Sequence, residues 1–219
     1  IGAALVVALV ALGVGQSKIQ EPSVAASNGV MAPHFLVDPY WPKPLPNNWA
    51  MGNTIGVDVD ERDHVFIVHR NDASQFGGNT EIGLQGGVAE CCTPAPPIIE
   101  FDADGNVVNA WGGPVEGAPY VWPASNHGIE VAPNGDVWIG GNGGGDSHVL
   151  VFSRDGEYIR TIGMQGDGRD SNSKTHFARV AEIAIDVEAN EAYFANGYQN
   201  RRVAVVDVAT GAFTRYWGA

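Results

Sequence analysis

Three polar elements of this sequence stand at the ends of apolar strands, where side chains from different repeats could act together. His69-Arg70 follows one strand, His127-Gly128 opens another, and Tyr198 lies in an Asn-Gly-Tyr-Gln-Asn-Arg-Arg segment after a third. Equivalent positions of a radial repeat face one axis, and an imidazole at that axis is a natural Zn²⁺ ligand. Spacing alone leaves three structural alternatives open: a hydrogen-bonded loop histidine, an arginine that braces neighbouring sheets, and a packed tyrosine.

The strands that must position these residues form a repeat of two strand pairs. Each pair alternates apolar and polar residues around a tight polar turn such as Asp-Gly, Asn-Gly or Thr-Gly, as β-hairpins do. Two successive pairs give a four-stranded antiparallel sheet, and radial repetition of such sheets gives a β-propeller. The sequence therefore predicts an all-β fold with three complete blades. Their strand pairs span residues 56–68 and 98–112, 128–139 and 149–163, and 182–194 and 203–218.

The first strand of each blade is expected to lie nearest the propeller axis. Residues 56–59, 128–131 and 182–185 are the apolar runs least diluted by charge, so they are also expected to be buried on both faces. Residues 71–97 form a long insertion rich in Gly, Asn, Gln and Pro, which favour turns. Irregular segments of that length in compact domains are usually functional. Closed propellers have about 4–8 blades, so further blades of the same domain are expected beyond Ala219.

The first residues predict export. Residues 1–15 form an apolar run typical of a secretory signal peptide and too short to span a bilayer comfortably. An uncleaved anchor helix is the alternative. Residues 16–33 lack periodicity and are predicted to be a flexible linker, and residues 34–219 to be the partial propeller domain. This order predicts a secreted or periplasmic protein.

The charge balance argues against two classes of partner. The chain carries 25 acidic and 12 basic residues, for a net charge of −13. Binding to nucleic acid or to an anionic membrane surface is driven by Lys and Arg, so neither partner is expected. The composition is compatible with bound cations and with a small-molecule or peptide substrate.

The two cysteines of the chain are adjacent, Cys91 and Cys92. Neighbouring Cα atoms are about 3.8 Å apart across a trans peptide, below the usual disulfide window of about 4.4–6.8 Å. A bond between them would close a strained eight-membered ring and stiffen the long insertion. Two packed thiols are the alternative, and a redox-catalytic role is not expected because no Cys-x-x-Cys spacing is present.

These elements together resemble a known family. The strand pairs look like NHL repeats, and the His69-Arg70, His127-Gly128-Ile129 and Asn196-Gly-Tyr198-x-Asn-x-Arg202 elements are similar to the peptidyl-α-hydroxyglycine α-amidating lyases. The resemblance runs from about Pro39 to Ala219. It implies a six-bladed propeller of which this chain holds about the first half.

The resemblance also implies a set of roles. His127 matches the first of three histidines that hold a catalytic zinc, Arg70 matches the arginine that binds the substrate carboxylate, and Tyr198 matches the catalytic base. Val57 and Ile129 match residues whose backbone carbonyls hold a structural calcium. The two remaining zinc histidines and the calcium aspartate would lie beyond Ala219. The implied reaction cleaves a peptidyl-α-hydroxyglycine to an amidated peptide and glyoxylate, and so makes the protein a carbon–nitrogen lyase.

Two other function classes remain open at the level of the sequence. A non-catalytic NHL propeller would use the same channel or face to bind a protein or a glycan. A calcium-dependent lactonase-type hydrolase would share the propeller and a central metal, with acidic ligands that Asp146 and Asp170 could supply.

Overall fold

Antiparallel strand pairs joined by tight turns account for most of the regular secondary structure in the part of the chain that the structure describes. The structure is a computed structural model and describes residues 33–71 and 92–218, in which the regular elements are all β-strands. The chain divides into a unit that ends at Pro39 and a unit that begins at Tyr40. Residues 33–39 of the first unit contain no strand. The prediction of an all-β fold is confirmed.

The second unit holds fourteen strands within the described residues. They are β1 (Trp49–Ala50), β2 (Thr54–Val59), β3 (Val65–His69), β4 (Thr93–Pro94), β5 (Ile98–Phe101), β6 (Val107–Trp111), β7 (Asn126–Val131), β8 (Val137–Gly141), β9 (His148–Phe152), β10 (Tyr158–Gly163), β11 (Glu182–Asp186), β12 (Glu191–Asn196), β13 (Arg202–Asp207) and β14 (Phe213–Gly218).

Twelve of these strands form three four-stranded antiparallel sheets. Blade 1 has the order β2-β3-β5-β6, blade 2 the order β7-β8-β9-β10, and blade 3 the order β11-β12-β13-β14. The short strands β1 and β4 pair in parallel beside them. Each sheet is a meander in which chain neighbours are also hydrogen-bonded neighbours, as in a β-propeller. The predicted fold class is therefore confirmed, and a total of six blades stays a prediction.

Polar residues close several of the hairpin turns locally. Asp60 Oδ1 accepts hydrogen bonds from the backbone N–H groups of Arg62 and His64 at 2.8 and 3.0 Å. Asp102 Oδ1 accepts from the N–H of Asn106 at 2.8 Å in the next hairpin. Gly156 has a φ of +86°, a left-handed conformation that favours glycine. The contacts that close these turns therefore lie within a single strand pair and do not depend on a neighbouring blade.

The cores lie between blades, and the middle strands are the most buried. Phe66 of β3 and Leu150 of β9 are fully buried between blades 1 and 2, and Phe194 of β12 is fully buried between blades 2 and 3. The first strand of blade 2, β7, does lie against both β2 and β11. The predicted burial of these three strands on both faces is wrong for β2, because Val57 is 62% exposed. It is also wrong for β11, because Glu182 and Ala184 are exposed. Middle strands have a neighbour on each side, whereas a first strand has one edge toward the axis.

Carboxylates join the first strands of neighbouring blades. Asp58 Oδ2 accepts a hydrogen bond from the N–H of Val131 on β7 at 2.6 Å. Glu130 Oε1, at the equivalent position of the next blade, accepts from the N–H of Ile185 on β11 at 3.1 Å. The same bond thus recurs from blade 1 to blade 2 and from blade 2 to blade 3.

A partly buried ion network ties blade 2 to blade 1 near the turn that follows β2. Arg154 Nη1 donates to Asp60 Oδ2 at 2.7 Å, and its Nη2 donates to Glu100, which is 3% exposed. His64 Nδ1 lies 2.6 Å from the same Glu100 oxygen. The Arg154 guanidinium also lies 4.8 Å above the centre of the Phe66 ring. The ion pairs of Arg154 and its packing on Phe66 therefore act together to fix the angle between blades 1 and 2.

Glu130 makes the contact between blades 2 and 3 sensitive to pH. Burial raises the pKa of its carboxyl from 4.5 to about 7, and the charges of Asp58 and Glu182 add to that rise. The folded state therefore holds the proton more tightly than the unfolded chain, so stability falls as pH rises from about 4.5 to 7. We expect Glu130→Gln to raise the free energy of unfolding by roughly 1 kcal/mol at pH 8, since solvent screens a half-buried charge.

Urea denaturation at pH 5 and pH 8 measures this effect. Most of the gain should disappear at pH 5, where Glu130 is protonated in the folded state. Glu116→Gln, which removes an exposed carboxylate from a loop, is the matched control and should change little at either pH. An equal gain from Glu130→Gln at both pH values would contradict the assignment.

Candidate functional site

The strand directions bring the three predicted site residues to one end of the blades. Arg70 directly follows β3, and Tyr198 lies in the loop after β12. His127 is the second residue of β7. Second strands run back toward the end at which first strands begin, so all three residues lie at that end. The turns and ion network around Asp60 and Arg154 lie at the opposite end.

His127 and Tyr198 contact each other across blades 2 and 3. His127 Nδ1 lies 2.8 Å from the carbonyl oxygen of Ala181, and its Nε2 lies 2.8 Å from the Tyr198 hydroxyl. A carbonyl accepts hydrogen bonds only, so Nδ1 carries the proton in the neutral imidazole. Nε2 then presents a lone pair that accepts from the Tyr198 O–H. The backbone carbonyl of Ala181 therefore sets the orientation of the His127 ring and the direction of its Nε2 lone pair.

Arg70 reaches the same region from blade 1. Its side chain is buried, with 6% of the residue exposed. Nε donates to the carbonyl oxygen of Asn126 at 3.3 Å, and Nη2 donates to Asn142 Oδ1 at 3.1 Å. Burial lowers the pKa of the guanidinium, and the electrostatic interaction with Tyr198 raises it. The structure thus brings Arg70, His127 and Tyr198 together from three successive blades.

The segment that carries Tyr198 is clamped on its C-terminal side. Asn200 Nδ2 donates to the Gly168 carbonyl at 2.8 Å, and Arg202 donates to the Ser171 and His176 carbonyls at 2.7 and 2.9 Å. Both clamping residues are buried, whereas Tyr198 is 54% exposed. The Asn-Gly-Tyr-x-Asn-x-Arg pattern therefore combines one residue of the site with buried residues that fix its loop.

Asn142 is a site residue that the sequence analysis missed. It follows β8 as Arg70 follows β3, so the repeat register places the two residues at equivalent positions. The neighbouring Asp146 accepts hydrogen bonds from the N–H groups of Ala124, Ser125 and Gly143 at 2.8, 3.1 and 2.7 Å. Asp146 therefore shapes the loop that presents Asn142. The repeat register could be read from the sequence, but nothing about an asparagine in a Gly-rich loop indicated that it would contact Arg70.

His69 lies outside the site although it is adjacent to Arg70. It is fully buried, and its Nδ1 accepts from the N–H of Gly52 at 3.1 Å. Its Nε2 donates to the Pro96 carbonyl at 2.9 Å. Burial lowers the pKa of this imidazole. The residue ties β3 to the segment before β2 and to the end of the long insertion.

The two predicted calcium residues and one of the two cysteines lie among the described residues. Val57 and Ile129 occupy equivalent positions in the contacting strands β2 and β7, and their calcium role stays a prediction. Among residues 33–71 and 92–218, no group of three or more His, Cys, Asp or Glu side chains is placed to hold a metal ion. Cys92 is disulfide-bonded. Cys91 lies outside the described residues, so the Cys91–Cys92 pairing stays a prediction.

Comparison with known proteins adds no functional assignment. No protein-family model and no curated protein matches the chain. Among solved structures, U3-55K is similar at 12% identity over 77% of this chain and 40% of that chain, with a TM-score of 0.48. Hydrazine synthase of Kuenenia stuttgartiensis has 13% identity over 85% and 40%, with a TM-score of 0.46. Streptogramin B lyase has 14% identity over 74% and 39%, with a TM-score of 0.40. The chain spans about two fifths of the length of each, and such distant likeness carries no argument about function.

We expect the hydrogen bond between Arg70 and Asn142 to contribute measurably to the free energy of unfolding. Asn142→Ala leaves the buried Arg70 guanidinium without one acceptor, and hydrogen bonds to charged groups contribute about 1.5–3 kcal/mol. We expect a loss of about 1.5 kcal/mol in urea denaturation. Asn142→Asp keeps an acceptor of the same size and should retain wild-type stability or exceed it. Equal losses in the two variants would show that the side chain does not act through Arg70.

Proposed function

We propose that this chain contributes part of the active site of a zinc-dependent lyase. The proposed reaction cleaves a peptidyl-α-hydroxyglycine to an amidated peptide and glyoxylate. The single observation that carries the proposal is the hydrogen bond between Tyr198 and His127, with the Arg70 guanidinium within electrostatic reach of the same phenol. A proton-transfer group, a metal-ligand type and a carboxylate-binding group are thereby brought together from three blades. We also propose that the protein is exported, because the apolar run of residues 1–15 is typical of a signal peptide. Among the described residues, the structure contains no helix long and apolar enough to cross a membrane.

The fit of His127 to a zinc ion rests on its hydrogen bonds. Histidine ligands commonly donate their second ring N–H to a carbonyl or carboxylate, which fixes the tautomer. The bond from Nδ1 to the Ala181 carbonyl does this here, and it makes Nε2 the acceptor atom. Nε2 pairs with the Tyr198 hydroxyl in this structure, and zinc would take the place of that hydrogen bond. The resemblance assigns the other two histidine ligands to positions beyond Ala219. When bound, zinc would supply a Lewis acid that lowers the pKa of the substrate hydroxyl.

Arg70 is suited to hold the terminal carboxylate of the substrate. Its planar guanidinium presents paired N–H donors that match the two oxygens of a carboxylate. Asn126 and Asn142 hold the group in one orientation, so little side-chain freedom remains to be lost on binding. A fixed carboxylate places the adjacent hydroxyl-bearing carbon at a defined distance from Tyr198.

Tyr198 is suited to move the proton. Cleavage requires that the substrate O–H proton leave, that the O–H electron pair form the aldehyde C=O bond, and that the C–N bond break with its electrons going to nitrogen. The phenolate of Tyr198 accepts the hydroxyl proton and then returns a proton to the departing amide nitrogen. Tyr198 therefore acts first as a general base and then as a general acid.

The test uses the full-length protein that carries this sequence, loaded with zinc. It should release glyoxylate from a hydroxyglycine-extended peptide. Tyr198→Phe should lower kcat by at least about 100-fold without loss of metal, because the phenol acts in proton transfer. Arg70→Lys should raise KM about 10-fold while kcat changes less, because a point charge replaces the paired donors.

His127→Ala provides the third arm of this experiment. It should reduce both the zinc content and the activity, since it removes a protein ligand. Zinc content is measured by atomic absorption and glyoxylate by a colorimetric assay. A protein that binds zinc and yields no glyoxylate from any hydroxyglycine peptide would sink the lyase assignment and favour the non-catalytic binding propeller.

A further inference from the structure

The hydrogen bond between Tyr198 and His127 joins two groups that the proposed reaction uses separately. The neutral imidazole has one lone pair in the plane of its ring, at Nε2, and the Tyr198 hydroxyl donates to it across 2.8 Å. Zinc would need the same lone pair, since a histidine ligand binds a metal ion through an unprotonated ring nitrogen. The hydroxyl and a metal ion therefore exclude each other at this atom.

Zinc does not fit between the two groups as they stand. A tetrahedral zinc ion holds nitrogen and oxygen ligands at about 2.0–2.2 Å, which places two such ligands about 3.3 Å apart. Nε2 and the phenol oxygen are 2.8 Å apart and in direct contact. One of the two side chains must therefore move before a metal ion can reach Nε2.

The His127 ring is held in place by the backbone of blade 3. Its Nδ1 lies 2.8 Å from the Ala181 carbonyl oxygen, and the Ala181 N–H in turn donates to the Ala195 carbonyl at 3.0 Å. This second bond attaches Ala181 to β12. A β-carbon at Gly128 would lie 3.1 Å from the same Ala181 oxygen, so the two backbones are also in close contact. The direction of the Nε2 lone pair is thereby fixed.

Tyr198 is the side chain that is free to move. It is 54% exposed, and within the described part of the chain the bond to His127 is the only hydrogen bond of its hydroxyl. A β-carbon at the preceding Gly197 would meet no heavy atom within 4 Å outside its chain neighbours. The flanking Asn196 and Asn200, by contrast, are fully buried. Rotation of the Tyr198 side chain therefore breaks one hydrogen bond and leaves the anchored residues on either side in place.

We propose that Tyr198 occupies the zinc-binding nitrogen of His127 in the metal-free protein, and that it leaves this nitrogen when zinc binds. The inference rests on the proposed role of His127 as a zinc ligand and adds a regulation of that site. While the hydroxyl donates to Nε2, its oxygen is held against the imidazole and away from a substrate. The base and the metal therefore become available together.

The zinc affinity of the full-length protein tests this competition. The protein is stripped of metal with a chelator, and Zn²⁺ alone is titrated against a chromophoric competitor. Tyr198→Phe removes the competing hydroxyl and should bind zinc about 5-fold more tightly, the equivalent of one net hydrogen bond of about 1 kcal/mol. Tyr158→Phe is the matched control, because its hydroxyl contacts Thr161 at 3.0 Å on the outer strand of blade 2, and its zinc affinity should be unchanged. Equal or weaker zinc binding by Tyr198→Phe overturns the proposal.

Histidine ¹⁵N NMR gives a readout that needs neither zinc affinity nor activity, with His127→Ala used to assign the resonances. In the metal-free protein, Tyr198→Phe should move the Nε2 resonance of His127 downfield while Nδ1 stays protonated. The His127 and Tyr198 ring centres are 5.3 Å apart, so nuclear Overhauser effects should join the rings and weaken when Zn²⁺ is added. An unmoved resonance, or Overhauser effects that zinc leaves unchanged, overturns the proposal. If Tyr198→Phe does not fold, the Overhauser effects in the unaltered protein decide alone.

The same measurements separate this proposal from the lyase assignment. If zinc binds and displaces Tyr198 but no glyoxylate is released, the lyase assignment fails and the proposal stands. If glyoxylate is released but Tyr198→Phe binds zinc no more tightly, the proposal fails and the lyase assignment stands. Absence of zinc binding to the unaltered protein overturns both.

Discussion

The close approach of the first strands of neighbouring blades is the constraint on which the candidate site depends. A β-carbon at Gly56 would lie 2.6 Å from the His127 carbonyl oxygen, so any larger residue would push blade 1 away from blade 2. Asp58 and Glu130 hold the same strands together through backbone N–H groups. Because His127 lies on β7 between β2 and β11, this spacing sets its distance from both Arg70 and Tyr198.

The two ends of the blades differ in the charged groups that they carry and in what those groups contact. At the turn end, carboxylates are balanced by Arg154 and by backbone donors, and the resulting bonds fix the angles between blades. At the site end, the buried guanidinium of Arg70 lies beside a phenol and an imidazole, and its hydrogen-bond partners include a carbonyl and an amide. The interactions that stabilise the blades are thereby separated from the groups that are proposed to react.

Buried amides and backbone carbonyls position the reactive side chains. Asn126 Nδ2 donates to the His69 carbonyl at 2.8 Å and its Oδ1 accepts from Trp122, so the backbone that holds Arg70 is itself fixed. The Ala181 carbonyl does the same for His127. Such partners keep loop residues in one geometry, and they explain how a half-exposed Tyr198 can lie at a defined distance from His127.

The sequence by itself determined the blades, because hairpins are local: alternating apolar residues and polar turns specify strand pairs whatever lies around them. The same repeat register placed Arg70, His127 and Tyr198 at one end, and the structure brings these three together. Only the tertiary structure decided which residues are buried. Val57 is exposed and Phe66 is not, although both lie in apolar strands, because burial depends on the neighbouring blade. The partners of the site, Asn142 and Ala181, were also invisible in the sequence, because an amide or a carbonyl becomes functional only through the distance at which folding places it.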